Sequence, residues 1–386
     1  MRRLASFARK AGRRLLRAST RRAGRPEPRP LALSVVDEAE ILAPCSDVLG
    51  AGSIGRGVLG PLADPTDGAG DILGARVANA WHAPALGAVI DDSGRVFRSS
   101  VRSALAFTPS LAALPHTDAR AGATLFSSPE SAPSIARGSV FVGWSGLHNY
   151  AHFLLESLPA LRALKVAGAL EPFPAVSPPL LPWQRALLNL MLGDPKTMPI
   201  EIDAPAVRLG EAVFAVSRGL GPDAPTLRSV RDDILRSAAP AAPVEGPRHL
   251  YVSRQGATRQ ALLNEPELET ALAARGYAIV RPESLSVREL IALFHHADSI
   301  VAPSGAALAN MLFCKPGARI IEIQSDEDEA PWSRDLAALT GVDWRSFVGP
   351  SAKIRTEGWL AADLRPASAF SWSLEIDAFL AFLDRS

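Results

Sequence analysis

The segment Ser299–Ile323, SIVAPSGAALANMLFCKPGARIIEI, constrains the fold more than any other part of the chain. An apolar run (Ile300, Val301, Ala302) leads into a Ser-Gly turn. A short helical stretch follows, then a Pro316-Gly317 break and a second apolar run around Ile320 and Ile321. Short apolar runs without polar alternation read as buried strands. A strand, helix and strand in such quick succession belong to a parallel sheet. Open parallel sheets present ligands beyond the carboxyl ends of their strands, against a helix N-terminus. The turn Ser304-Gly305-Ala306 is therefore expected to offer backbone N–H groups to a phosphate, with Gly305 allowing close approach. Glu322, expected near the end of the second strand, is placed to accept hydrogen bonds from ribose hydroxyls. The pattern points to a nucleoside diphosphate site, although strand–glycine–helix turns also occur in α/β domains that bind nothing there.

The region around this segment repeats the same grammar. Leu250-Tyr251-Val252 reads as a strand ending at Ser253-Arg254. Asn264 with Glu267, and Ser286 with Glu289, have the spacing of capping boxes, opening helices to about Arg275 and through Phe294. Tyr277–Val280 is a strand between them, and Leu374–Leu383 a closing amphipathic helix. Upstream the pattern is less regular. Asp91-Asp92-Ser93-Gly94 between two short apolar runs signals a hairpin. Ser139–Val142 reads as a strand, Tyr150–Ala167 as a long helix bent near Pro159, Trp183–Leu192 as a helix and Glu211–Val216 as a buried strand. The stretch Ala238–Pro243 is a linker of small residues and proline. These boundaries divide the chain into 1–30, 31–237, the linker 238–247, 248–365 and a C-terminal helix in 366–386.

With 386 residues and a 47% hydrophobic fraction, the chain is expected to hold two folded domains. Its net charge of +1 is unevenly spread. Residues 1–30 contain eleven Lys/Arg and one Glu, a net of +10, which leaves −9 for the rest. The acidic body argues against a nucleic-acid partner. Leu4, Phe7, Ala11, Leu15 and Ala18 share one helical face in the basic segment, a pattern suited to an anionic membrane surface. A disordered basic tail, or an RNA-binding one, is the competing reading. There is neither an eighteen-residue apolar run nor the apolar core of a secretory signal. Cys45 and Cys314 have no metal or disulfide spacing, which fits a reducing compartment. A cytoplasmic location, peripheral on the inner face of the membrane, is expected.

Chemistry-bearing residues gather in two places. Arg254, just past a strand, and Arg259, in the following loop, can pair with phosphate oxygens or with surface carboxylates. Asn310 can hold the turn or touch the ligand. In the first domain, His152 and Glu156 are four apart and share a helix face, where a carboxylate can orient an imidazole for acid/base work. A buried structural pair is the alternative. His148 lies one turn earlier, and two histidines without a third ligand nearby make a poor metal site.

Together these stretches resemble glycosyltransferase family 61. The block Asn149-Tyr150-Ala151-His152-Phe153-Leu154-Leu155-Glu156-Ser157-Leu158-Pro159 is similar to the family's N-Y-x-H-W-L-L-E-x-L-P. Tyr251-Val252-Ser253-Arg254, then Arg259 and Asn264-Glu265, follow its Y-x-S-R block. Ser304–Phe313 and Pro316 through Glu322 follow H-G-A-G-L-T-N-x-x-F and P-G-x-x-x-I-E. The chain departs at Ser304, Ala307 and Ala309, where the family has His, Gly and Thr. The resemblance implies a GT-B-like α/β fold, two Rossmann-like domains facing across a cleft. It also implies an inverting transferase that uses a nucleotide sugar, usually a UDP-sugar, as co-substrate, with no cofactor and no metal. The acceptor would be a cell-surface polysaccharide or glycolipid. On this reading His152 and Glu156 are catalytic and His148, Asn149 and Tyr150 face the acceptor. Arg254, Arg259, Ser304, Gly305, Ala306, Asn310 and Glu322 bind the nucleotide. A non-catalytic nucleotide- or glycan-binding protein on the same fold is the alternative.

Overall fold

The computed structural model describes residues 31–36, 60–61, 72–97, 100, 117–120, 123–126, 131–217, 225–238, 246–257, 261–326, 332–349, 354–355 and 370–386. The basic segment 1–30, linker residues 239–245, Cys45 and Arg259 lie outside the described residues.

The first sheet is mixed. It contains β1 (Leu31–Val36), β2 (Gly60–Pro61), β3 (Ile72–Ala83), β4 (Ala88–Ile90), β5 (Arg95–Phe97), β6 (Thr117–Arg120), β7 (Ala123–Phe126), β8 (Ser134–Val140), β9 (Ala175–Ser177), β10 (Ile200–Glu201) and β11 (Val207–Ser217). The order is β10-β9-β8-β11-β3-β4-β5-β1-β7-β6, with β2 beside β3. The end β10-β9-β8-β11 is parallel. Beyond it β3 and β4 run antiparallel to their neighbours, and β5 is antiparallel to β4 but parallel to β1. The expected hairpin is β4–β5, with Ile90 opposite Val96. Its turn is tied by the Asp91 carboxylate, whose Oδ1 accepts from the backbone N–H groups of Ser93 and Arg95, each at 2.9 Å.

The connection from β8 to β9 carries α1 (Trp144–His148), α2 (Tyr150–His152), a π-turn (Phe153–Ser157) and α3 (Leu158–Val166). One bent helix was expected here; the irregularity is broader and begins before Pro159. Proline has no N–H to return to the carbonyl of Leu155, and the Leu158 N–H bonds to the Phe153 carbonyl, five residues back. Two more helices complete this half, α4 (Pro182–Leu192) and α5 (Pro225–Ala238).

The second half follows the expected alternation in β12 (His249–Val252), with a short unexpected β13 (Ala261–Leu262), then α6 (Glu265–Ala273), β14 (Ala278–Val280), α7 (Val287–His296), β15 (Ser299–Pro303), a 3-10 helix (Ala306–Phe313) and β16 (Arg319–Ser325), and it adds α8 (Trp332–Thr340) and β17 (Asp343–Gly349) beyond the expected run. Then come β18 (Ile354–Arg355), β19 (Phe370–Trp372) and α9 (Ile376–Arg385). The sheet β14-β12-β15-β16-β17 is parallel throughout. Side chains alternate between its faces, as strand geometry requires. Tyr251, Val301, Ile321 and Ile323 pack with α6 and α9. Leu250, Val252, Ile300, Ala302 and Ile320 join a core with α7, the 3-10 helix and α8. That core continues without a break into Phe153, Leu154, Leu158, Leu187 and Val230 of the first half.

The two capping boxes have different fates. Ser286 and Glu289 form theirs, with both reciprocal bonds present. Asn264 stands at the start of α6 but does not cap it. Its side chain brackets Leu374 instead, donating to the carbonyl at 2.8 Å and accepting from the N–H at 3.0 Å. Among the described residues no helix is long and apolar enough to cross a membrane.

Candidate functional site

The strand order β14-β12-β15 makes a topological switch point. From β12 the chain moves outward through α6 on one face. It returns past β12 to β15 through α7 on the other. Divergence of the two connections leaves a crevice at the carboxyl ends of β12 and β15, the usual ligand position in such sheets. A pocket of about 550 Å³ opens there. It is lined by residues 253–257 after β12, residues 281–284 after β14, and Ala306 and Ala307 at the start of the 3-10 helix.

Arg254 is fixed in this pocket from two directions. Its backbone N–H donates to Glu265 Oε1 at 2.7 Å, and the Tyr251 hydroxyl donates to the same oxygen at 2.8 Å. Glu265 is buried, so a single carboxylate on α6 ties down the end of β12. Ser253 donates to Glu269 Oε1 at 2.6 Å, adding a second tie one turn along that helix. The side chain of Arg254 then lies against Gly305. A Cβ built on Gly305 would stand 2.8 Å from the guanidinium Cζ and 3.1 Å from Cδ. Gly305 has φ 164°, an extended backbone open to any residue, so glycine is required here for room. Burial pushes the Arg254 guanidinium below its ordinary value, and the carboxylates of Glu265 and Glu283 pull it back. The side chain remains a cation, because a guanidinium is not deprotonated in proteins.

A second arginine lines the pocket. Arg281 donates through Nη2 to Glu269 Oε2 at 2.7 Å and to Gln255 Oε1 at 2.9 Å. The sequence reading missed it, together with Gln255, Glu283 and Ser284. The signal was present: Arg281 follows Val280 at the end of β14 as Arg254 follows the end of β12.

In the first half, His152 closes α2 and Glu156 sits in the π-turn. His152 Nδ1 lies 2.9 Å from Glu156 Oε1. A carboxylate only accepts, so the proton belongs on Nδ1 and the Nε2 lone pair is left to act as a base. The side chains are 42% and 34% exposed, so solutes can reach the pair and a closed structural burial is ruled out. His148 is exposed and its ring packs tilted against Trp144, 4.9 Å between ring centroids. Among the described residues no group of three or more His, Cys, Asp or Glu side chains is gathered for a metal ion.

Several expected ligand contacts are placed elsewhere. Glu322 is not at a strand end. β16 runs on to Ser325, which leaves Glu322 in mid-strand between Ala302 and Ser346, fully buried. Its Oε2 accepts from Trp344 Nε1 at 3.0 Å, and it does not line the pocket. The Ser304 N–H donates to the Ile323 carbonyl at 2.9 Å and is thus not open to a phosphate. Asn149 acts as the N-cap of α2, its Oδ1 accepting from the N–H groups of Ala151 and His152 at 2.8 and 3.4 Å. The Tyr150 hydroxyl donates to Asn310 Oδ1 at 2.7 Å, and Asn310 Nδ2 donates to the Ala307 carbonyl at 2.9 Å. Of the three departures from the family loop, Ala309 is fully buried and apart from the pocket, and only Ala307 lines it.

Residues 150–321 match the family model described as Glycosyltransferase 61. The match supports a glycosyltransferase family 61 assignment. Its span begins at Tyr150 on α2 and ends at Ile321 in β16, so it takes in both the His152–Glu156 pair and the Arg254 pocket. The match suggests a glycosyltransferase, and an enzyme of that kind would bind a sugar donor and a glycan acceptor. No curated protein matches the chain.

Proposed function

We propose that this family 61 protein is an inverting glycosyltransferase with a GT-B-like arrangement, its donor a nucleotide sugar, UDP-sugars first. The observation that carries the reading is Arg254, tied by Glu265 and seated against Gly305 in a pocket at a switch point. A nucleoside diphosphate requires fixed positive charge at that place. Arg254 and Arg281 supply it, and they stabilise the charge that builds on the leaving diphosphate. We assign no metal to the reaction. His152 Nε2 takes the proton of an acceptor hydroxyl as that oxygen attacks the anomeric carbon and the bond to the diphosphate breaks. Glu156 holds the imidazole in the tautomer this requires. A helix carrying the base and a helix bordering the pocket belong together in such an enzyme, and α2 packs on the 3-10 helix. The acceptor is a hydroxyl of a cell-surface polysaccharide or glycolipid. The basic segment 1–30 docks the protein on the anionic inner face of the membrane.

Thermal shift against UDP, GDP, CDP and their sugars tests the donor assignment. At least one diphosphate is expected to raise the melting temperature of the wild type, and Arg254→Ala to abolish the rise. A normal rise in the variant would sink the assignment. A non-catalytic role is distinguished by turnover: hydrolysis or transfer of the donor by the wild type, lost in His152→Ala, excludes it.

A further inference from the structure

We infer that the Tyr150–Asn310 hydrogen bond is a positioning contact that couples the nucleotide pocket to the His152–Glu156 pair; the inference rests on the donor-site reading above. The connection is continuous and short. Ala307 lines the pocket, and its carbonyl accepts from Asn310 Nδ2 at 2.9 Å. Asn310 Oδ1 accepts from the Tyr150 hydroxyl at 2.7 Å. Tyr150 is the first residue of α2, a helix of three residues that ends at His152, and His152 meets Glu156 at 2.9 Å. Tyr150 and Asn310 stand 160 residues apart in the chain, one in each half of the molecule.

The surroundings make this bond a register device. Asn310 is fully buried among Leu308, Met311, Leu312 and Phe313, and the Tyr150 ring leans on Trp183 at 5.4 Å between centroids. Apolar packing alone would let the two helices slide. A buried amide that loses its partner is left with an unsatisfied polar group, so the pair fixes one relative position of α2 and the 3-10 helix. Both side-chain atoms of Asn310 are committed, one to each half of the site. A displacement of Ala307 by an arriving nucleotide therefore reaches α2 through two hydrogen bonds and no freely rotating group. Because α2 is so short and is capped by Asn149, movement of Tyr150 turns His152 with it. Tyr150 acts as a positioning residue and takes no part in the proton transfer itself.

The experiment uses the full chain with 13C at the histidine Cε1 atoms, the His152 signal identified by its loss in His152→Ala. UDP and GDP are the probes, their affinities measured by calorimetry. In the wild type, a saturating nucleotide is expected to shift the His152 signal. In Tyr150→Phe, which keeps the ring and removes the hydroxyl, nucleotide affinity should stay within about threefold while the induced shift falls at least about fivefold, the lower end of usual coupling between sites. Asn310→Asp retains the acceptor for Tyr150 and removes the donor to Ala307. It should cut the same response at the other link, with melting curves confirming that both variants fold. An equal response in wild type and Tyr150→Phe, or nucleotide binding without any His152 response in the wild type, overturns the coupling alone. No binding of either nucleotide to the wild type overturns the donor-site reading and the coupling with it.

Discussion

Gly305 was legible in the sequence as a point of close approach, but its neighbour was not. A glycine after a buried strand suggests room for a phosphate, whereas the group that fills the room is the Arg254 guanidinium. Strand-end arginines on adjacent strands carry no mark in sequence of which glycine they will meet, because the meeting depends on strand order. The contact makes a clean prediction. The extended φ of 164° means that Gly305→Ala introduces no backbone strain, and its Cβ can be relieved only by moving the arginine. The stability change should stay within about 1 kcal/mol, as for substitutions that a flexible side chain can evade. Nucleotide affinity should fall about tenfold or more, equivalent to about 1.4 kcal/mol. Calorimetric titration with the diphosphate that stabilises the wild type reads both numbers against the melting curve. Unchanged affinity would remove Arg254 from the binding role. Glu322 shows the opposite failure: its residue type suggested a ribose contact, but β16 continues three residues beyond it and the carboxylate is buried against Trp344.

Elements were legible where local chemistry decides them and less so where tertiary contacts do. Four strands of the second sheet, β12, β14, β15 and β16, have short apolar cores that were readable, whereas β17, with Asp343, Arg345 and Ser346 among its residues, was not read as a strand. The Ser286 box needs only Ser286 and Glu289, and it forms as the spacing requires. Asn264 has the same spacing, but its amide is claimed by Leu374, 110 residues further on, which no local pattern reveals. The break around His152 is of the second kind, since the π-turn follows from Pro159 together with the packing of Phe153 and Leu154 into the core. In this element Asn149 does two things at once: it begins α2, and it holds the N–H of His152. Two cap deletions separate these roles. Ser286→Ala should cost about 1 kcal/mol, the ordinary value of a lost cap, and leave nucleotide affinity and turnover unchanged. Asn149→Ala should cost a similar 1 kcal/mol or so and also lower turnover of the donor, because the backbone that aims the imidazole is released. Asn149→Asp keeps the accepting oxygen and should restore turnover. Equal turnover in Asn149→Ala and the wild type would show that α2 is held by its packing alone.

At the scale of the whole molecule, the sequence suggested two domains with a linker between them, yet the apolar core does not divide at that boundary. Phe153, Leu154 and Leu158 from the first half share one cluster with Ile300, Leu312 and Phe313 from the second, and α5 packs against both α7 and the 3-10 helix. A composition-based boundary marks where the chain is extended; it carries no information on which faces meet afterwards. Arg162 and Asp233, paired at 2.8 Å, brace α3 against α5, and Arg231 of α5 donates to the Cys314 carbonyl at 3.0 Å on the far side. Removing the first half would expose the apolar faces of α7 and the 3-10 helix, and removing the second would expose those of α2 and α5, so neither sheet is expected to persist alone. Thermal unfolding of the full chain should then be one cooperative transition, with calorimetric and van't Hoff enthalpies in agreement. A nucleotide bound in the Arg254 pocket at one hundred times its Kd adds about 2.7 kcal/mol to whatever unfolds with that pocket. In a shared core this displaces the whole transition upward. With independent halves the nucleotide would instead split the trace, moving the part that contains the second sheet and leaving the other in place. Differential scanning calorimetry with and without the diphosphate decides between the two, and a split trace would overturn the single-core reading.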